Sequence, residues 1–120
     1  MFWVKRNQKS TPKEIRVLGL QFLSEQDGPP EQILKQRLIS FFKRDRSVEK
    51  AFLSRVDYGD ATPVGVALCL QTQFGTDKGM VEKIGMIFAT VFGTQSHLDI
   101  IFLTDEQHAS IAKVCTPFFS

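Results

Sequence analysis

The segment Val64-Gly65-Val66-Ala67-Leu68-Cys69-Leu70-Gln71 decides the fold class. Val64, Val66, Leu68 and Leu70 alternate with Gly65, Ala67, Cys69 and Gln71, the period of two that sends successive side chains to opposite faces of a pleated strand. Immediately before it, Gly59-Asp60-Ala61-Thr62-Pro63 holds residues that turn a chain tightly, and Val48 to Tyr58 reads as the strand on the other side of that turn. A hairpin therefore forms the middle of the chain.

The period changes on both sides of the hairpin. Upstream, Ile33, Leu34, Leu38, Phe41 and Phe42 recur every three or four residues, with Lys35, Gln36, Arg37, Ser40 and Lys43 on the opposite side of a helix. Pro29 and Pro30 suit its first positions, where a missing N–H costs nothing, and Glu31 suits the positive end of its dipole. The helix is expected to fray in Lys43-Arg44-Asp45-Arg46, whose cations sit well against the carbonyl end, which accounts for this basic run without a ligand. Downstream, Gly75 to Gly79 breaks the strand pattern. Met80, Val81, Ile84, Ile87, Phe88, Val91 and Phe92 then line one face of a second helix that Gly93 can cap.

Two further strands flank these helices: Ile15 to Phe22, followed by a turn cluster from Ser24 to Pro30, and His97 to Leu103. Thr104 and Gln107 have capping-box spacing and predict a short third helix reaching about Cys115. Residues 1–14, with Lys5, Arg6, Lys9 and Lys13 among polar residues, read as a basic arm, which leaves one domain over 15–120. The order strand, helix, strand, strand, helix, strand predicts an α+β domain. Its expected architecture is a split βαβ (βαββαβ, ferredoxin-like) sheet with two helices on one face plus the short C-terminal helix.

At 120 residues, 42% hydrophobic with 11 Phe, the chain has material for one core. No apolar run approaches the roughly 20 residues of a membrane-spanning helix, so no membrane association is expected. The first residues lack the basic, apolar and small-residue sequence of a secretory signal, and the expected compartment is the cytoplasm. Cys69 and Cys115 are too few for a disulfide framework and lack metal-ligand spacing, so neither metal nor other cofactor is expected.

Alternate strand positions pointing away from the helices are apolar as well; depending on phase they include Val17, Leu53, Ala67, Cys69, Ile101 and Leu103. An oily second sheet face needs cover. The candidates are Phe2-Trp3-Val4, Phe118-Phe119 or a second copy of the chain. The leading functional reading is thus a non-enzymatic interaction module that binds itself, as a homodimer, or an unidentified protein partner through this face or a strand edge. Phe2, Trp3, Phe118 and Phe119 are its expected aromatic anchors.

The competing reading is a small-molecule sensor or enzyme with a pocket beside the C-terminal helix, lined by His97, Asp99, His108 and Cys115. Their spacing matches no metal motif, and both histidines occupy positions where surface histidines are common. Neither cysteine sits in a Cys-x-x-Cys pair, and no residue is assigned a catalytic role. Gly75-Thr76-Asp77-Lys78-Gly79 is not a phosphate loop, because Met80 follows Gly79 where Lys and then Ser or Thr are required. Asp57 and Asp60 read as turn residues.

Charge is uneven: up to Arg55 there are twelve Lys and Arg against six acids, and thereafter three against seven. This can make a basic patch unless folding interleaves the halves. The isoelectric point near 8.6 is below the footprint expected of a nucleic-acid-binding domain, so nucleic acid is not an expected partner.

From Val48-Glu49-Lys50-Ala51-Phe52-Leu53-Ser54-Arg55-Val56, through Val64-Gly65-Val66-Ala67-Leu68 and Leu98-Asp99-Ile100-Ile101-Phe102-Leu103, to Pro117-Phe118-Phe119, the order of motifs resembles a known family. It looks like the C-terminal domain of the bacterial SseB, or enhanced serine sensitivity, proteins. The similarity includes the Pro30-Glu31-Gln32 helix start and covers about the last hundred residues. The resemblance implies a cytoplasmic bacterial protein without an established catalytic residue set, in a family named for a serine-related growth phenotype.

Overall fold

In the computed structural model, which describes residues 20–59, 64–73 and 77–120, the hairpin lies at the centre of the sheet. The elements are β1 (Gln21–Glu25), α1 (Pro29–Asp45), β2 (Val48–Asp57), β3 (Gly65–Thr72), α2 (Lys78–Phe92), β4 (Asp99–Phe102) and α3 (Asp105–Ile111). The α+β class and the order of elements follow the sequence reading. The arm assigned to residues 1–14, and residues 15–19 of the expected first strand, lie outside the described residues. β1 runs through Ser24 and Glu25, two residues expected in the turn, because they pair with Arg55 and Ser54 after a register shift at Leu23.

The strands are ordered β1-β2-β3-β4, antiparallel except for the parallel β3–β4 pair. This is not the interleaved order of a split βαβ unit, which places the first strand beside the third. The reason is the direction of α1. β1 ends opposite Ser54, six positions beyond the start of β2, so α1 carries the chain onward past the end of β1 to Val48. β2 then returns beside β1 in the opposite sense. Arg46, at φ 68°, makes the reversal and its N–H donates to the Phe42 carbonyl oxygen. Among the described residues, only the β3–α2–β4 segment is a crossover between parallel strands.

The place beside β2 that β1 leaves open is taken by the C-terminal segment. Ala51 N donates to Phe119 O at 3.0 Å, and Phe118 N donates to Ala51 O at 2.9 Å.

Both helices cover one sheet face. Leu34, Leu38, Phe41 and Phe42 of α1 and Met80, Ile84 and Phe88 of α2 pack on Leu53, Val66, Leu68, Leu70, Leu98 and Ile100. Each fully buried side chain of this kind stabilises by about 1.5–3 kcal/mol, so this layer supplies most of the drive to fold. The other face is apolar too. Phe22, Phe52, Val56, Ala67, Cys69 and Ile101 form a second cluster with Ile111 of α3 and Cys115. Leu53, placed among its candidates from sequence, faces the helices instead, and Val17 lies outside the described residues.

α3 forms as read: the Thr104 side chain accepts from Gln107 N at 3.1 Å, and Gln107 Oε1 accepts from Thr104 N at 2.9 Å. Among the described residues, no helix is long and apolar enough to cross a membrane.

Candidate functional site

Strand alternation builds a polar row on the helix-free face. Ser54, Ala67 and Asp99 are ladder neighbours across β2, β3 and β4, and His97 stands two residues before Asp99. Tyr58 extends the inward series Phe52, Ser54, Val56 just beyond the end of β2. Its side chain reaches across β3, where Ala67 is too small to obstruct it, and Tyr58 Oη donates to Asp99 Oδ2 at 2.5 Å. His97 Nε2 donates to Asp99 Oδ1 at 2.9 Å. All three side chains are buried, so the histidine expected at the surface is an interior one.

Accepting two hydrogen bonds holds Asp99 in one orientation, and Asp99 in turn fixes the imidazole, as a carboxylate does in a histidine relay. His97 Nδ1 is buried without a hydrogen-bond partner, a situation that typically costs about 1–3 kcal/mol. Sequence reasoning missed Tyr58; its place in the inward series was the available signal, but its partner on β4 required the strand order.

The remaining residues of the expected pocket do not join this row. The His108 ring packs on Phe52 with centroids 5.9 Å apart, and Cys115 Sγ donates to Leu53 O at 3.6 Å. Burial pushes the Cys69 thiol well above its ordinary range, and burial followed by the nearby Glu25 charge pushes Cys115 up to about 11. Both shifts run opposite to those of a nucleophilic thiolate.

Asp57 Oδ1 accepts from Gly59 N at 2.9 Å and Asp77 Oδ1 from Met80 N at 3.2 Å, a turn and a helix cap respectively. Asp60, Gly75 and Thr76 lie outside the described residues, as do Phe2 and Trp3. Phe118 and Phe119 are half-buried and sit on the helix-bearing side, with ring centroids 6.5 and 5.4 Å from that of Phe42.

A second polar cluster closes the junction of β1 and α1. Lys35, expected on the solvent side, is buried; its Nζ donates to Glu25 Oε2 at 3.0 Å and Asp27 Oδ1 at 3.3 Å, and lies 5.9 Å from the centre of the Phe118 ring. The Gly28 N–H, then Gln32 and Lys35, hold the Asp27 carboxyl below its ordinary range. Glu31 is fully buried: Oε2 accepts from Gln26 Nε2 at 3.1 Å, while Oε1 has no partner.

Between the outer faces of α1 and α2 runs an open groove of about 380 Å³, lined by Arg37, Ser40, Arg44, Met86, Ile87 and Thr90. Arg44 also borders an adjoining depression of about 570 Å³, with Phe41, Asp45 and Lys83. Arg37 Nη1 donates to Thr90 Oγ1 at 2.6 Å and bridges the two helices.

Compared with known proteins, residues 21–120 match the family model of the SseB protein C-terminal domain. This span contains every element from β1 to α3. No curated protein and no solved structure matches the chain.

Proposed function

The chain belongs to the SseB protein C-terminal domain family, and on that premise we propose that it is a non-enzymatic module that binds a second copy of itself or another protein through a strand edge. The observation that carries this reading is the outer edge of β4. β4 pairs with β3, and no strand flanks its other side among the described residues. Leu103 N donates to Leu70 O at 2.8 Å, so the alternation of the ladder directs the N–H groups of Ile100 and Phe102 outward. Strand addition there supplies main-chain hydrogen bonds, while the buried side chains of Asp99, Ile100 and Ile101 hold the template in place. The helix-free face is a weaker candidate, because α3 already packs on it. A bacterial cytoplasmic setting belongs to the same reading.

Sedimentation equilibrium over a range of concentrations, joined to amide hydrogen exchange, tests the edge. Association is expected to slow exchange at Ile100 and Phe102 while leaving the amides of α1 unchanged. A complex that forms with both edge amides still exchanging freely defeats the edge. A monomer at every concentration that retains no protein from its host defeats the module.

One observation favours the small-molecule reading instead, the unpartnered His97 Nδ1. A ligand that moves the His97 ring resonances, with no change in sedimentation, would replace the edge as the seat of function.

A further inference from the structure

We propose that the groove between α1 and α2 docks an acidic, amphipathic helix of another protein. This surface is separate from the β4 edge and stands or falls independently of it.

The argument begins with charge. Arg37, Arg44 and Lys83 border the groove and its adjoining depression, against a single lining carboxylate, Asp45. That carboxylate is engaged by Ser47, accepting from its backbone N at 3.1 Å and from its hydroxyl. Arg37 bonds the neutral Thr90 hydroxyl, and neither Arg44 nor Lys83 has an ion-pair partner among the described residues. The basic run at the end of α1 reads from sequence as compensation for the helix dipole. Folding adds Lys83 from the acidic half of the chain, so the patch is a product of the tertiary structure.

The floor of the groove is apolar. Ile87 and Met86 line it, Phe41 lines the adjoining depression, and Met86 is 71% exposed, more than any other large hydrophobic residue described. An exposed thioether adapts to differently shaped side chains, the property used by surfaces that accept helices. Two neighbouring helices leave a groove that takes a third along its length. A partner with apolar residues at i, i+3, i+4 and i+7 and carboxylates beside them would satisfy floor and rim together.

A bilayer fits less well. Surface-binding helices insert a broad face of Trp, Phe or Leu, whereas here Met86 alone projects strongly. Nucleic acid would use the cations but leave Met86 uncovered.

The test uses the full chain and a fluorescent peptide of about 18 residues, five helical turns, with Leu on one face and Glu on the other; its Lys-for-Glu counterpart serves as control. The acidic peptide is expected to bind saturably and shift the amide resonances of Ser40, Arg44, Met86 and Thr90, with affinity falling as salt is raised. Met86→Ser should weaken binding about tenfold, the loss of one apolar contact. Reversing the rim with Arg37→Glu, Arg44→Glu and Lys83→Glu should abolish binding of the acidic peptide and create binding of the Lys peptide. Circular dichroism checks that each variant is folded.

Equal affinity for the two peptides, resonance shifts elsewhere on the molecule, or indifference to charge reversal would overturn the proposal. So would recruitment to phosphatidylserine vesicles without peptide binding, which would assign the patch to a membrane.

Discussion

Tyr58, just past the end of β2, and Asp99, at the start of β4, are joined across β3 by a 2.5 Å hydrogen bond on the helix-free face. The bond ties the first half of the sheet to its last strand, beyond the reach of the main-chain ladder. Removing the donor leaves a buried carboxylate oxygen short of one partner, and hydrogen bonds to charged groups contribute about 1.5–3 kcal/mol. Tyr58→Phe, which keeps the ring, should lower stability by this amount in urea denaturation with an unchanged m value. A midpoint equal to that of the parent would mean that the bond is neutral against water.

α3 acts as the cover of the second cluster, with Cys69 and Cys115 beneath it. Thr104→Ala removes the side-chain half of its capping box at a cost of about 1 kcal/mol. Local opening should therefore increase about fivefold, and with it the rate at which a thiol reagent labels Cys115. The thiols also contribute to the loss of stability in alkali. Their folded pKa values lie above the ordinary 9.0, so the folded state holds these protons more tightly than the unfolded chain does. That stabilisation is complete below pH 9 and declines as pH rises toward about 11, the value for Cys115. Replacing Cys115 with Ala should flatten the upper end of the stability profile; an unaltered profile would acquit this thiol.

Local signals were legible in the sequence because their partners are local. The capping box of α3, the proline start of α1 and the alternation of β3 each lie within a few residues. His97 and Asp99 share a strand face by the period of two, so half of the polar row could be read. Tyr58 could not, because its partner is set by the strand order, and that order follows from α1 running onward rather than back. Helical periodicity likewise assigned Lys35 to the solvent side and Ile33 to the core. The structure reverses both, since Glu25 and Asp27 approach Lys35 from β1 and its turn while Ile33 faces outward. A residue's angle on a helix is encoded locally; what packs there is not.

The Lys35 cluster is asymmetric, and its energetics should be too. The Lys35 side chain is 5% exposed, whereas Glu25 and Asp27 are 34% and 51% exposed. In Lys35→Met the apolar stem stays packed near Phe118 and the two carboxylates turn to water, so stability should change by no more than about 1 kcal/mol. Neutralising the acids with Glu25→Gln and Asp27→Asn instead leaves the buried ammonium without either of these counter-charges, and should destabilise the fold more than Lys35→Met does. Chemical denaturation of the two variants distinguishes these outcomes. The reverse ranking would show that the carboxylates, despite their exposure, depend on the lysine.

Gly28 and Glu31 make the most constrained contact at the same junction. Gly28 has φ 151°, and a Cβ added there would lie 2.6 Å from Glu31 Oε1. Gly28→Ala therefore carries two penalties, backbone strain and a clash with a fully buried carboxylate, together on the order of 2 kcal/mol or more. They can be separated. In a Glu31→Ala background the clash is gone and the strain remains, so the cost of Gly28→Ala should fall by about 1 kcal/mol, measured as the coupling energy of a double-mutant cycle. Glu31→Gln keeps the side chain's size and should not give this relief. If Gly28→Ala costs the same in all three backgrounds, the glycine is required for its backbone angle alone, and the close approach of Glu31 Oε1 places no demand on that position.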